Sequence, residues 1–150
     1  MPSCGDCNRR KEDAPQDKSE NTLHPYFHDL DDVRWLGAEV VQDAPPSVKY
    51  LVLPQDGWDD ALKARANGHL DVFGLRTIYS VEAAQEMTEI RRLLRGLSKG
   101  GGKAAVRQHL LMEANSREAA RKNSWRTALY FALAESDWFC SEGLLRLEPT

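Results

Sequence analysis

The apolar positions change their spacing several times along the chain, and each change predicts a different element. Residues 1–22 show no apolar periodicity, and Pro15 interrupts a run of charged and amide side chains. Such a segment buries too little apolar surface to offset the entropy of ordering it, so it reads as an extended polar tail needing a metal or partner to hold it. Leu23, Tyr26, Phe27, Leu30 and Val33 then recur at helical spacing, with Pro25 suited to a first turn and Gly37 as terminator. Residues 38–41 predict a short strand, Asp43-Ala44-Pro45-Pro46 a turn, and residues 48–53 a stronger strand that Pro54 stops. Asp59 predicts the cap of a short helix ending at Gly68. Residues 70–79, rich in Val72, Phe73, Thr77, Ile78 and Tyr79, predict a further strand with a bulge at Gly74. The stretch from Pro54 to His69 is long enough for a parallel crossover, so a βαβ unit is allowed beside an antiparallel pairing.

Beyond Ser80 the pattern turns helical. Val81, Ala84, Met87, Ile90, Leu93, Leu94 and Leu97 follow the helical repeat, with Glu82, Glu86 and Glu89 early and Arg91, Arg92 and Arg95 late, as the helix dipole favours. Gly96 falls where a left-handed terminator is expected. Residues 98–103, Ser-Lys-Gly-Gly-Gly-Lys, form a hinge, since neither register matches the G-x4-G-K-[ST] phosphate loop. A second helix is predicted over 104–114, with Val106, Leu110, Leu111 and Ala114 on one side. Asn115-Ser116-Arg117-Glu118 resembles a capping box that opens a third helix to about residue 137. The tail stays apolar through Leu145.

Together these elements predict an α+β fold. A small sheet of two or three strands within residues 38–79 packs against C-terminal helices, and an extended N-terminal segment precedes it. The domain expectation is a polar tail over 1–22 and one α+β domain over 23–150, whose helical subregion spans 80–138.

Charge sharpens this picture. The net formal charge is −3, but residues 1–90 carry 9 basic against 17 acidic side chains, and residues 127–150 carry 1 against 4. Residues 91–126 reverse the balance with 10 basic side chains (Arg91, Arg92, Arg95, Lys99, Lys103, Arg107, Arg117, Arg121, Lys122 and Arg126) against Glu113 and Glu118. Such a block either faces an anionic partner or neutralises acidic parts of its own fold. No run of apolar residues is long enough for a membrane span, and residues 1–7 carry no apolar signal core. Cys4, Cys7 and Cys140 are an odd and uneven set for a disulfide framework, so the expectation is a reducing compartment, the cytoplasm.

Four constellations could carry chemistry. Cys4-x2-Cys7 and His24-x3-His28 supply four nitrogen and sulfur ligands for one tetrahedral structural Zn²⁺, and over residues 4–28 the pattern resembles a two-Cys two-His zinc finger. That resemblance implies a folding role for the metal, with no open position for water; the alternative is a tail with incidental thiols and histidines. Asp56, Asp59 and Asp60 could hold Mg²⁺ beyond a strand end, or simply turn the chain and cap a helix. The pair of helices 104–114 and 116–137 could form a helix-turn-helix, with Arg117, Arg121, Lys122 and Arg126 near the start of the reading helix. Trp125, Tyr130, Phe131, Trp138 and Phe139 could make a docking surface or could be core. Cys140 lies among apolar residues that would raise its pKa, and no base accompanies it, so nucleophilic catalysis has no candidate.

The function expected from these features is a non-enzymatic interaction or assembly protein, an accessory component that docks on a larger complex. The alternative is a zinc-containing nucleic-acid-binding protein using residues 91–126. A weaker alternative is a Mg²⁺-dependent enzyme using Asp56, Asp59 and Asp60.

Overall fold

A computed structural model describes residues 32–147. It is an α+β arrangement in which a two-stranded antiparallel sheet packs against a long kinked helix and the helices that follow it. The ligand set Cys4, Cys7, His24 and His28 and most of the helix predicted from Leu23 to Leu36 lie outside the described residues; the described end of that stretch, residues 32–36, is not helical and leads into the first strand.

The sheet consists of β1, Leu36–Val41, and β2, Ser47–Val52, paired in a register that sets Leu36 opposite Val52 and Val41 opposite Ser47. Along β2, Val48, Tyr50 and Val52 are buried while Lys49 is exposed, the alternation of a sheet with one covered face. Gly37 does not terminate a helix; it lies within β1. A Cβ there would come within 2.6 Å of the Leu53 side chain, so only glycine permits this approach.

The predicted strand over 70–79 is helical, which removes the βαβ unit. Helix α1, Asp60–Val72, runs straight through Gly68, and α2 begins at Leu75. Gly74 is the corner between them, with a left-handed φ of 62°, rather than a bulge. The β-branched and aromatic content that suggested a strand is outweighed by position: Ala66, Leu70 and Phe73 are buried at helical spacing. Asp59 does cap α1, its carboxylate accepting from Leu62 N–H at 2.8 Å. Arg76 then fastens three elements at once. It donates to the Tyr50 carbonyl (2.8 Å), to Asn67 Oδ1 (2.7 Å) and to Asp71 Oδ1 (2.8 Å).

Helix α2, Leu75–Ala120, is helical throughout except at Gly102, whose φ of 70° and ψ of −161° belong to glycine alone. The bend there is a reversal. Glu86 and Arg117 approach to 4.0 Å, whereas a straight helix rising ~1.5 Å per residue would hold them about 46 Å apart. The two limbs, 75–101 and 103–120, are therefore antiparallel neighbours. The predicted hinge at the glycine run is present, but Gly96 continues the helix instead of ending it. Ala83, Met87 and Leu94 face the core from the first limb, and Val106, Leu110 and Ala114 from the second. Val81 and Leu93, assigned to the buried side by spacing, are 62% and 49% exposed, so the apolar stripe lies about one residue round from its predicted place.

The break after α2 falls at 121–124, not at Asn115, which is exposed inside the helix. Ser124 is the cap that is used. It accepts from Thr127 N–H at 3.1 Å, and the Thr127 hydroxyl donates to the Arg121 carbonyl at 2.7 Å. Helix α3, Trp125–Glu135, then packs along α2. Ser136 caps the short α4, Asp137–Ser141, which a 3-10 turn over Gly143–Arg146 follows. Leu129, Leu133, Phe139 and Leu144 are wholly buried, each contributing about 1.5–3 kcal/mol of transfer free energy to a core shared with the sheet.

Candidate anion-docking surface

The basic segment is divided by the fold into cations that hold the structure together and cations that face solvent. Asp137, at the start of α4, engages both Lys103 (3.8 Å) and Arg107, whose guanidinium also donates to the Ala134 carbonyl at 3.0 Å. Lys122 donates to the Asp32 carbonyl at 3.0 Å. Arg117 meets Glu113 at 3.3 Å, lies 4.7 Å above the Tyr130 ring and approaches Glu86. Arg126 reaches Glu86 at 3.5 Å and stacks on Trp125 at 4.6 Å.

Glu86 is the centre of that second group. It is 9% exposed, and Tyr130 donates its hydroxyl to Glu86 Oε2 at 2.8 Å. Burial first, then this hydrogen bond, push the Tyr130 phenol up to about 12. In the sequence Glu86 stands with Glu82 and Glu89, and only its position beside the apolar Ala83, Met87 and Ile90 hints that this acid needs partners. Tyr50 completes the junction by donating to the Trp125 carbonyl at 2.7 Å, and burial pushes its phenol well above the usual range.

Asn123 is a further connecting residue that its sequence context did not single out. Its side-chain oxygen accepts from Trp35 N–H (2.8 Å) and Leu36 N–H (3.1 Å), and its amide donates to the Val33 carbonyl (2.9 Å). It joins the α2–α3 corner to the start of β1.

What remains is a cationic surface on the last turns of the first α2 limb. Arg91, Arg92, Arg95, Gly96 and Lys99 line an open groove of about 320 Å³ with no carboxylate in its wall. Arg91, Arg95 and Lys99 repeat every four residues and so form one row, neighbours about 6 Å apart. Among the described residues, no ion pair or hydrogen bond engages the side chains of Arg91, Arg92, Lys99 or Arg121, although the Arg121 carbonyl accepts from Thr127. Arg95 is partly fixed: its Nη2 donates to the Leu145 carbonyl at 2.8 Å, while its buried Nε finds no acceptor among the described residues. Gly96 has open space where a side chain would project, so no side chain rises into the groove from this position.

The other predicted sites fare differently. The helix-turn-helix is corrected, because no turn separates residues 114 and 116, and Arg117, Arg121 and Lys122 sit at the end of one helix rather than the start of the next. Arg117 and Arg126 are also occupied by Glu86. Tyr130 and Phe139 are buried in the core, while Trp125, Phe131 and Trp138 are half-buried and pack against it. Asp59 is a helix cap, Asp56 is exposed in the preceding turn, and Asp60 is exposed in the first turn of α1. Among the described residues no three His, Cys, Asp or Glu side chains are gathered as a metal site. Cys140 is buried, donates to the Leu133 carbonyl at 3.4 Å, and is raised in pKa by desolvation. No described helix is long and apolar enough to cross a membrane.

Among curated proteins the chain is similar to Protein ea31 of Escherichia phage lambda, with 25% identity over 154 aligned positions covering 93% of this chain and 52% of the phage protein. The chain thus spans about half the length of that relative. No family profile and no solved structure matches.

Proposed function

We propose that this protein is a non-enzymatic interaction component that docks on an anionic surface of a larger assembly through the row Arg91, Arg92, Arg95 and Lys99. The observation that carries the proposal is the unbalanced groove itself. Elsewhere in the basic segment the fold supplies carboxylates or carbonyls to most cations, yet no carboxylate lines this groove and, among the described residues, of its four cations Arg95 alone meets a carbonyl, that of Leu145. Exposed cations left uncompensated raise the local potential and favour encounter with a negative partner. The similarity to the phage protein is compatible with this reading but lends it no activity.

Affinity capture with the full chain as bait tests the proposal. Wild type is compared with the combined substitution Arg91→Ala, Arg92→Ala and Lys99→Ala. A macromolecule retained by wild type in dilute salt and lost with the variant supports docking through this row. Identical captured material for both proteins sinks it.

A further inference from the structure

We infer that the occupant of this groove is the sugar-phosphate backbone of a nucleic acid, bound without regard to sequence. The inference rests on the docking reading above and names the class of partner.

The groove is lined by guanidinium and ammonium groups and a glycine. A protein partner of useful affinity ordinarily needs a desolvated apolar or aromatic anchor at the centre of its interface. No aromatic side chain lines this groove: Tyr130 and Phe139 are buried, and Trp125, Phe131 and Trp138 are half-buried against the core. A phosphate backbone needs no such anchor, because its affinity comes from cations that displace condensed counterions. The row suits it in geometry too. Arg91 to Lys99 covers about 12 Å of helix axis at ~1.5 Å per residue, and duplex DNA offers a charge every ~1.7 Å. Three of the cations are arginines, whose planar donors match phosphate oxygens in pairs.

Sequence independence follows from the placement of the row. The cations project from the last turns of the limb that ends at the Gly102 reversal, and none of them lies at a helix N-terminus from which a reading helix would meet base edges. Asp137 adds a built-in competitor. Its carboxylate occupies Lys103 and Arg107, the next cations beyond the reversal, so a phosphate must contend with it for them.

The test is fluorescence anisotropy of the full chain with labelled duplexes of about 20 base pairs and unrelated sequences, titrated across salt, with polyglutamate as comparator. The expected result is equal affinity for the duplexes, and a log–log salt slope of about −0.9 for each phosphate neutralised. Combined Arg91→Ala, Arg92→Ala and Lys99→Ala should weaken binding roughly tenfold or more and reduce the slope by about 3. Far-UV circular dichroism and thermal unfolding of that variant should match wild type, and Arg-to-Lys replacements at 91 and 92 should retain binding. Lys49→Ala, an exposed cation on β2 paired with Glu39, should change nothing. Asp137→Asn should tighten binding severalfold; unchanged or weaker affinity would overturn its role as competitor. Strong preference for one duplex overturns the sequence-independent mode. Binding to polyglutamate with none to nucleic acid overturns this inference but leaves the docking proposal standing. Failure with both, alongside identical capture by wild type and variant, removes both.

Discussion

Glu86 and its partners show how single residues can decide a packing arrangement. A carboxylate at 9% exposure is costly unless it is hydrogen-bonded and paired, and this one meets Tyr130, Arg117 and Arg126, drawn from the second α2 limb and from α3. The contacts therefore specify which faces of three helical segments meet. Tyr130→Phe should cost about 1–2 kcal/mol in urea unfolding, since it leaves the buried carboxylate short of one donor. The same group makes a pH prediction with a definite sign. The Tyr130 phenol titrates near 12 in the folded chain and near 10 when unfolded, so its contribution is fully present below pH 10. It is lost as pH rises from 10 through 12. Stability measured over that range should fall, and Tyr130→Phe should fall less steeply; an identical alkaline profile would contradict the assignment.

The long helix is the element whose behaviour the glycines control, and they do not all act alike. Gly96 lies in regular helix with no neighbour where a Cβ would stand, whereas Gly102 is at φ 70° in the reversal. Gly96→Ala should stabilise by about 0.5–1 kcal/mol, because alanine lowers the entropy of the unfolded chain and suits the helix. Gly102→Ala should destabilise by about 1–3 kcal/mol even though its Cβ has room, because the backbone conformation itself is hostile to L-residues. Thermal unfolding of the two variants should move in opposite directions. Equal shifts would show that the limbs do not depend on this backbone geometry. Much of the element was legible beforehand. The helical repeat, the dipole-ordered charges and the Gly100-Gly101-Gly102 hinge were all visible in spacing and composition. The end at Gly96 and the capping box at Asn115 were not used, because packing of Leu94, Leu97 and Ala114 into the shared core carries the helix past both local stop signals.

At the scale of the whole molecule the charge map acquires a purpose that net charge conceals. Of the basic block, Lys103, Arg107, Arg117, Lys122 and Arg126 are used to fasten helices and the start of the sheet, Arg95 is partly fixed by the Leu145 carbonyl, and the groove they leave has no carboxylate in its wall. The candidate surface was therefore legible only as a segment: residues 91–126 were recognisably cationic, but which of them face solvent depended on where Glu86 and Asp137 come to lie. The cysteine–histidine set at Cys4, Cys7, His24 and His28 remains a proposal of one structural Zn²⁺. Protein purified without added metal should carry about one equivalent, as a four-ligand structural site requires; metal-free protein with unchanged thermal stability would remove it.

Local chemistry in the sequence was sufficient for the α+β class, the hairpin strands, the helical second half, the glycine hinge and the confinement of positive charge to residues 91–126. Each depends on neighbours within a few turns or on composition. Tertiary structure alone decided that residues 70–79 are helical, that the chain breaks at Ser124 instead of Asn115, that Tyr130 and Phe139 are buried, and that the side chains of Arg91, Arg92 and Lys99 are left without partners among the described residues. Those outcomes turn on contacts between residues far apart in the chain, such as Glu86 with Tyr130 and Asn123 with Trp35, and the burial they bring exceeds the small local preferences they override.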